Sequence, residues 1–448
     1  MKILTFKGGL HPDDCKSYTK DKPIREIKPS DIMVYPMSQH IGAVCEPIVK
    51  KGDRVLLGQK IGDSDAFVSS PVHSTVSGTV VAVEKRLHPN GSKVMSVVVQ
   101  NDGLDEYAPE IKQNGGASQG LTKAEKLKRI RECGVVGLGG ATFPTHIKLS
   151  PPPDKTIDCI ILNGAECEPY LTSDYRVMLE TPKLVFDGLK IMMDITGVKR
   201  AVIGIENNKP EAIDIMTKIA KNYDGVTVAA LKTKYPQGSE KHLIKAVLNR
   251  EVPSGKLPAD AGCIVDNVDT CIAVYNAVER NMPVLTRVIT VSGSGVLNPQ
   301  NLRVRVGTGF DDILKEADFN EEKTKKIIAG GPMMGIAVYS VNVPTVKGTS
   351  AILAFGDKEI NNNTKQVSPC IRCGCCVEKC PMHLMPLMLN SYAKAKDYDA
   401  CLKYHIGDCI ECGICSYNCQ SNVNPLQNIK TAKKMIAAMK RKTEVRAK

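Results

Sequence analysis

The chain has 448 residues, of which 42% are hydrophobic, a formal net charge of +12 and 17 cysteines. That is length for about three domains with ordinary cores, and it excludes a disordered chain. With no Trp and only seven Phe, a base-stacking surface is missing and no nucleic acid partner is expected.

The first residues, Met1-Lys2-Ile3-Leu4-Thr5-Phe6-Lys7-Gly8-Gly9, lack the apolar stretch of a secretory leader. No run approaches the roughly 18 apolar residues of a membrane span. From 29 to about 105, short apolar runs alternate with Gly-Asp and Ser-Gly turns, which predicts a small β-sandwich. Its turns include Lys51-Gly52-Asp53-Arg54 and Val76-Ser77-Gly78-Thr79. The pattern resembles the barrel-sandwich hybrid of lipoyl- and biotinyl-bearing modules, in which a turn presents a modified lysine. No Lys lies between Ile61 and Glu84, so a swinging arm is not expected. The module reads as structural or adaptor-like.

From about 125 to 282 the pattern changes to alternating strands and helices. Ile157 to Leu162 and Ala201 to Ile205 are buried-strand candidates; Pro182 to Thr196 and Pro210 to Lys221 show helical periodicity. Such alternation predicts an α/β layer with a mostly parallel sheet, whose ligands sit at the C-terminal strand ends. The loop Gly134-Val135-Val136-Gly137-Leu138-Gly139-Gly140-Ala141-Thr142-Phe143-Pro144 is dense in glycines that let backbone N–H groups approach a phosphate. It is not a G-x-G-x-x-G fingerprint behind a strand, so a Rossmann site is not expected. Asn163-Gly164-Ala165-Glu166-Cys167-Glu168-Pro169 closes one strand and Asp266-Asn267-Val268-Asp269-Thr270 another. Residues 284 to 355 read as a compact β-grasp-like module, with strands at Arg287 to Ser292 and Leu302 to Val306 and a short helix from Gly309. Asn361 to Lys365 is a polar linker.

Ten of the cysteines fall between Cys370 and Cys419. They include two copies of one ruler: Cys370-x2-Cys373-x2-Cys376-x3-Cys380-Pro381 and Cys409-x2-Cys412-x2-Cys415-x3-Cys419. This is the spacing of a two-cluster [4Fe-4S] ferredoxin, and it fits a closed zinc site poorly. In that arrangement the fourth Cys of each run serves the other cluster. The expected sets are Cys370, Cys373, Cys376 and Cys419, and Cys409, Cys412, Cys415 and Cys380. Assembled clusters and the scattered remaining cysteines point to a reducing cytoplasm. Cys133, Cys167, Cys375 and Cys401 read as packing or shell residues; His73, His146 and His383 show no ligand spacing, and Met333-Met334 reads as packing. Clusters accept single electrons, so a hydride donor requires a flavin to split the pair. The end of the chain, Lys430 to Lys448, carries eight basic residues against Glu444. It reads as a solvated tail or as a surface for anionic lipid or an acidic partner such as a ferredoxin.

Across residues 125 to 355 the chain resembles the flavin- and NADH-binding subunit of respiratory NADH dehydrogenases. With the hybrid before and the cysteine rulers behind, the order resembles the C component of Rnf-type ion-translocating oxidoreductase complexes over nearly the whole chain. The resemblance implies FMN phosphate at Gly137, Gly139 and Gly140 with Lys148 facing it. It implies Asn163, Glu166, Asn267 and Thr270 around FMN, and Glu168 and Glu240 facing NADH as catalytic residues. Val136 and Leu138 stand where arginines are usual, Ala165 replaces an aspartate and Ser239 a glutamate. The fold class expected is multidomain α/β plus α+β: a hybrid with flanking segment (1–120), an FMN/NADH domain (121–283), a β-grasp module (284–358) and a two-cluster ferredoxin-type domain (359–448). The function implied is that of a peripheral subunit on the cytoplasmic side of the cell membrane, partnered by the membrane subunits of the same complex and by ferredoxin. It would exchange hydride with NAD(H) at FMN and move single electrons through two [4Fe-4S] clusters. The competing reading is a flavin-free iron–sulfur relay or docking scaffold.

Overall fold

A computed structural model describes residues 2–360 and 367–446. The linker Asn361 to Lys365 and the last two residues of the basic tail lie outside the described residues.

Two antiparallel sheets form the N-terminal sandwich. One has the order Ile32–Pro36, Lys93–Asn101, Gly78–Leu87, Arg54–Val55; the other is Glu46–Pro47, Lys60–Asp63, Val72–His73. Alternation along Ile32–Pro36 turns Met33 and Tyr35 inward onto Val55, Ile61, Val72, Val80, Val97 and Val99. The segment from Leu4 to Glu26 joins other parts of the fold. Leu4 bridges Leu231, Leu10 bridges Tyr235, and Ile24–Glu26 pairs in parallel with Asn301 to Arg303.

The central sheet has four parallel strands in the order Val226–Leu231, Ala201–Glu206, Cys159–Gly164, Cys263–Asn267. Ala201–Glu206 is buried at every position, as expected where helices cover both faces. Pro182–Thr196 and Val268–Arg280 cover one face, where Phe186, Leu189, Met192 and Val274 pack with Ile160 and Ile203. Glu240–Leu248 lies on the other, with Leu243 and Ile244 against Ile161 and Val265. The strand following Cys159–Gly164 in the chain lies on one side of it and Cys263–Asn267 on the other. In a parallel sheet such a reversal is where a ligand crevice is expected, here beyond the strand ends at Gly164 and Asn267.

A six-stranded mixed sheet follows: Ile24–Glu26, Gln300–Arg305, Thr286–Ser292, Ala351–Phe355, Lys326–Ala329, Ile336–Val338. Lys347, behind it, donates to Pro71 O at 2.6 Å and Gly134 O at 2.7 Å. That one buried ammonium ties the sandwich to the start of the glycine loop.

The C-terminal region is helical and repeats itself. Arg372 (φ 55°) and Glu411 (φ 58°), Gly374 (φ 78°) and Gly413 (φ 81°), and His383 (φ 54°) and Asn422 (φ 53°) match pairwise, at the step that carries Cys370 to Cys409. The short helices Cys375–Glu378 and Ile414–Tyr417 match likewise, as do Pro386 and Pro425 at the starts of Pro386–Ala395 and Pro425–Arg446. Both cysteine runs therefore trace the same backbone path. Ile429, Ala432 and Ile436 pack Pro425–Arg446 onto Leu389, Cys401 and Ile406, and Lys433 pairs with Glu411 at 2.7 Å. Part of the basic tail is thus built into this core, and residues 437–441 are exposed. Among the described residues, no helix is long and apolar enough to cross a membrane.

Candidate functional site

Helix Lys123–Glu132 begins with a capping box between Thr122 and Glu125 and delivers the chain to Gly134 at φ 67°. The glycine loop then closes on itself through Gly137 N–H to Phe143 O at 2.9 Å and Thr145 N–H to Val135 O at 3.1 Å. Leu138 N–H donates to Thr270 Oγ1 at 3.0 Å, and Leu138 O accepts from Arg287 Nη2 at 2.9 Å. Val136 and Leu138 point into the hydrophobic core; at these positions, where the resemblance leads one to expect arginines, the side chains anchor the loop from below. Thr270 is fully buried and holds the loop rather than lining open space. Gly139 faces the crevice so closely that a Cβ there would lie 2.5 Å from Asn267 Nδ2, whereas Gly140 has nothing within 4 Å.

Lys148 closes this end. Its ammonium donates to Val265 O at 2.9 Å, reaches Glu240 Oε1 at 3.4 Å and lies 3.8 Å from Asp266 Oδ1. Burial opposes its charge, but Asp266 and Glu240 together hold its pKa above the ordinary lysine value. Burial raises the Asp266 carboxyl, and its Oδ2 has no hydrogen-bond partner among the described residues.

At the strand ends, Asn163 Nδ2 donates to Gly238 O at 2.7 Å and its Oδ1 accepts the Ala165 N–H at 3.2 Å. Glu166 is held at φ 50°, a left-handed conformation costly for a residue with a Cβ. Its Oε1 accepts the Asp174 N–H at 2.7 Å and its Oε2 has no hydrogen-bond partner among the described residues. Asn267 caps helix Val268–Arg280 through the Asp269 N–H and donates Nδ2 to Asp174 Oδ2 at 2.7 Å. Behind them Asp269 pairs with Arg287. Lys16, from the far N-terminus, donates to the carbonyls of Glu166 (2.9 Å), Glu168 (3.0 Å) and Leu171 (2.5 Å). The sequence alone does not mark Lys16, Asp174 or Arg287 as site residues. Asp174, at a helix start, is the only one of the three with a local signal.

The two expected catalytic carboxylates have different surroundings. Glu240 is exposed and adjoins Lys148. Glu168 accepts the N–H groups of Met333 and Met334 at 3.0 Å each, and burial pushes its carboxyl up to about 7. Met333 packs beside Tyr235, Cys167, Cys412 and Ile414, while Met334 is exposed, so only half of the expected packing pair packs. Tyr235 OH donates to Cys412 O at 2.9 Å, and Cys167 Sγ accepts the Gly238 N–H at 3.2 Å. The Glu166–Glu168 turn is therefore in direct packing contact with the second cysteine run.

Burial is the largest influence raising the thiols of Cys409, Cys412 and Cys415, and these three and Cys380 lie close enough to act on one another. Cys370 and Cys373 are exposed and Cys376 adjoins both. Asn418, next to Cys419, donates to Cys375 O at 3.5 Å, which brings the end of the second run to the first. Among the described residues, no group of three or more His, Cys, Asp or Glu side chains is gathered so as to hold a single metal ion. The all-thiol donor sets and the duplicated left-handed turns fit a cluster that spaces its ligands around four irons. In the crevice, the Gly139 cradle, the Lys148 ammonium and the unpartnered Glu166 Oε2 and Asp266 Oδ2 fit a phosphate-bearing ring system.

Comparison with known proteins agrees with this layout. Residues 130–276 match the family described as the Nuo51 FMN-binding domain, and residues 4–104 match the RnfC barrel sandwich hybrid domain. The chain is 46% identical over 442 residues to the C component of the Na(+)-translocating ferredoxin:NAD(+) oxidoreductase complex of Acetobacterium woodii, covering 99% of both chains. It is 49% identical over 388 residues to the proton-translocating counterpart from Clostridium ljungdahlii, covering 87% of this chain and 84% of the relative. A solved NAD+-reducing NiFe-hydrogenase in the H2-reduced state aligns at TM-score 0.50 and 17% identity over 72% of this chain and 67% of that one, a likeness of fold alone. The chain belongs to the family formed by the C component of ion-translocating ferredoxin:NAD(+) oxidoreductase complexes, oxidoreductase subunits with an FMN-binding domain of the Nuo51 type.

Proposed function

We propose that this chain exchanges hydride with NAD(H) at an FMN in the crevice between Gly164 and Asn267, and moves electrons singly through two [4Fe-4S] clusters. When bound, FMN supplies the conversion between one hydride and two single electrons. The protein's own residues bind and orient. Lys148 and the backbone of Gly137, Gly139 and Gly140 take the phosphate. Asn163, Glu166 and Asn267 border the ring with Thr270 fixing the loop beneath, and Glu240 and the Glu168 turn border the nicotinamide side. Cys409, Cys412, Cys415 and Cys380 hold the cluster nearer the flavin; Cys370, Cys373, Cys376 and Cys419 hold the exposed one, from which an acceptor is served. We assign the chain four domains, at 1–120, 121–283, 284–358 and 359–448, the third β-grasp-like and the fourth ferredoxin-like.

The observation that carries this reading is the Tyr235–Cys412 hydrogen bond at 2.9 Å. It joins Tyr235, which packs beside Cys167 of the strand-end turn, directly to a cysteine of the second run. Relatives are named as components of ion-translocating complexes. We therefore place this chain peripherally on the cytoplasmic side of the membrane, docked on membrane subunits that move the ion, with ferredoxin in the electron path.

The test is the visible spectrum of the anaerobically reconstituted protein. Flavin bands beside the broad cluster absorption, both bleaching on NADH addition, are expected. Clusters with no flavin retained after incubation with FMN would leave only the relay reading.

A further inference from the structure

Four carboxylates (Glu166, Asp174, Asp269 and Glu206) and three cations (Lys16, Arg287 and Lys209) are folded together beneath the crevice. Glu166, from the loop after Cys159–Gly164, has 9% of its surface exposed. Its unpartnered Oε2 lies 4.0 Å from Lys16 Nζ, an ammonium whose donors already serve three carbonyls. Asp174, at the start of helix Ser173–Glu180, joins Glu166 through its N–H and Asn267 through Oδ2. Asp269, from helix Val268–Arg280, is matched by Arg287 from strand Thr286–Ser292. Lys209 and Glu206 pair with each other at 3.3 Å, Lys209 also donating to Ala165 O. With Arg287 engaged by Asp269 and Lys16 the nearest remaining cation, Glu166 and Asp174 together carry one negative charge too many. Two adjacent carboxylates in a poorly solvated place resolve such an excess by holding one proton between them.

We infer that Asp174, crowded by the Glu166 carboxylate that its own N–H bonds, accepts the proton released at the flavin site and passes it to solvent. This rests on the flavin reading above. NADH yields NAD+, one proton and two electrons. The electrons leave one at a time toward the cysteine sites, and the proton needs its own way out. Glu166 is buried at the ring-binding strand end, and Asp174 is the partly exposed member that meets water. Burial first, then Glu166 and Asp269, raise the Asp174 carboxyl to about 7 against the opposing pull of Asn267 and Arg287. The Asp174 carboxyl is thus poised to gain and lose a proton near neutrality.

Two measurements separate this inference from the reading beneath it. Infrared spectra of flavin-free protein labelled with carbon-13 aspartate should show a protonated-carboxyl band at about pH 6 that is lost by about pH 8 and is missing in Asp174→Asn. Glu166→Gln keeps an acceptor for the Asp174 N–H and removes one charge, so Asp174 should give up its proton there too. A band that is unchanged in both variants, or absent from the wild type, overturns the inference. In the FMN-loaded protein, the flavin midpoint potential should bend against pH near 7 in the wild type and in Glu168→Gln, whose own carboxyl also sits at about 7. The bend should vanish in Asp174→Asn or Glu166→Gln. Bound flavin with an unmoved bend overturns the proton role; failure of the wild type to hold flavin overturns the reading beneath it.

Discussion

The crevice and the cysteine sites differ in how far apart in the chain their parts lie. The crevice gathers Lys16, Asn163, Glu166, Asp174, Asn267 and Arg287 from separate elements, each fixed by a backbone or side-chain partner from another, with Gly139 set close against Asn267. The cysteine sites use one short path twice, with the same left-handed positions at Arg372 and Glu411 and at Gly374 and Gly413. The crevice is pre-organised by tertiary packing, so damage at a distance reaches it. The cysteine domain is organised by local turns, so damage in one run is expected to stay with that run unless it strikes a cysteine that serves both.

Cys380 is where that contrast can be broken most severely. It belongs by sequence to the first run, yet its thiol lies among Cys409, Cys412 and Cys415. Cys380→Ser should therefore remove the second run's cluster and leave the first, lowering bound iron from about eight to about four per chain. Electron paramagnetic resonance of the reduced protein should show one remaining cluster, and reduction of a one-electron acceptor by NADH should be lost while FMN stays bound. If the surviving cluster instead depended on Cys409, Cys412 and Cys415, the crossed assignment would be wrong.

This difference also explains what can be read without the fold. The rulers are local, so their spacing marks eight cysteines as candidate ligands, and the two-cluster arrangement that spacing suggests carries the expectation of crossed pairing. The strand ends at Asn163 and Asn267 are legible because a parallel sheet places ligands there, and the helix Pro182–Thr196 is legible to the residue from its periodicity. Lys16 is not legible. Nothing in Asp14-Cys15-Lys16-Ser17 indicates that the ammonium will be buried under Glu166 and Glu168, because that contact depends on the N-terminal segment crossing two later sheets. Val136 and Leu138 are legible as missing arginines but not as core residues, since the loop's inward face is set by helix Val268–Arg280. Glu168 is expected from the resemblance to face a nucleotide; its bonds to Met333 and Met334 arise from a turn far along the chain.

A sharper and smaller probe of pre-organisation uses two neighbouring glycines. A methyl group at Gly139 would press on the Asn267 side chain, whereas one at Gly140 meets open space. Gly139→Ala should weaken FMN binding by about 10- to 100-fold, on the order of 1.4–2.8 kcal/mol. Gly140→Ala should change it by less than about threefold. Fluorescence quenching of added FMN reads both. Equal effects would mean that the loop opens on binding and that its spacing from Asn267 does not matter.

The smallest effect concerns how the crevice is held from behind. Burial lowers the Lys347 ammonium to about 8 from its ordinary value, with Cys45, Cys133 and Asp63 opposing the shift. The unfolded chain therefore binds more protons than the folded one between pH 8 and the ordinary lysine value of roughly 10.4. Stability contributed by this group must rise with pH across that window, and be lost as pH falls through 8, by on the order of 3 kcal/mol in full. Lys347→Met leaves Pro71 O and Gly134 O without their donor, so it should be less stable than the wild type throughout. Its deficit should be smallest near neutral pH and widen toward about pH 10. Thermal unfolding of both proteins at several pH values measures that difference directly. A deficit that is flat or shrinks with rising pH would mean that the ammonium is solvated, and that the sandwich is not tied to the glycine loop through it.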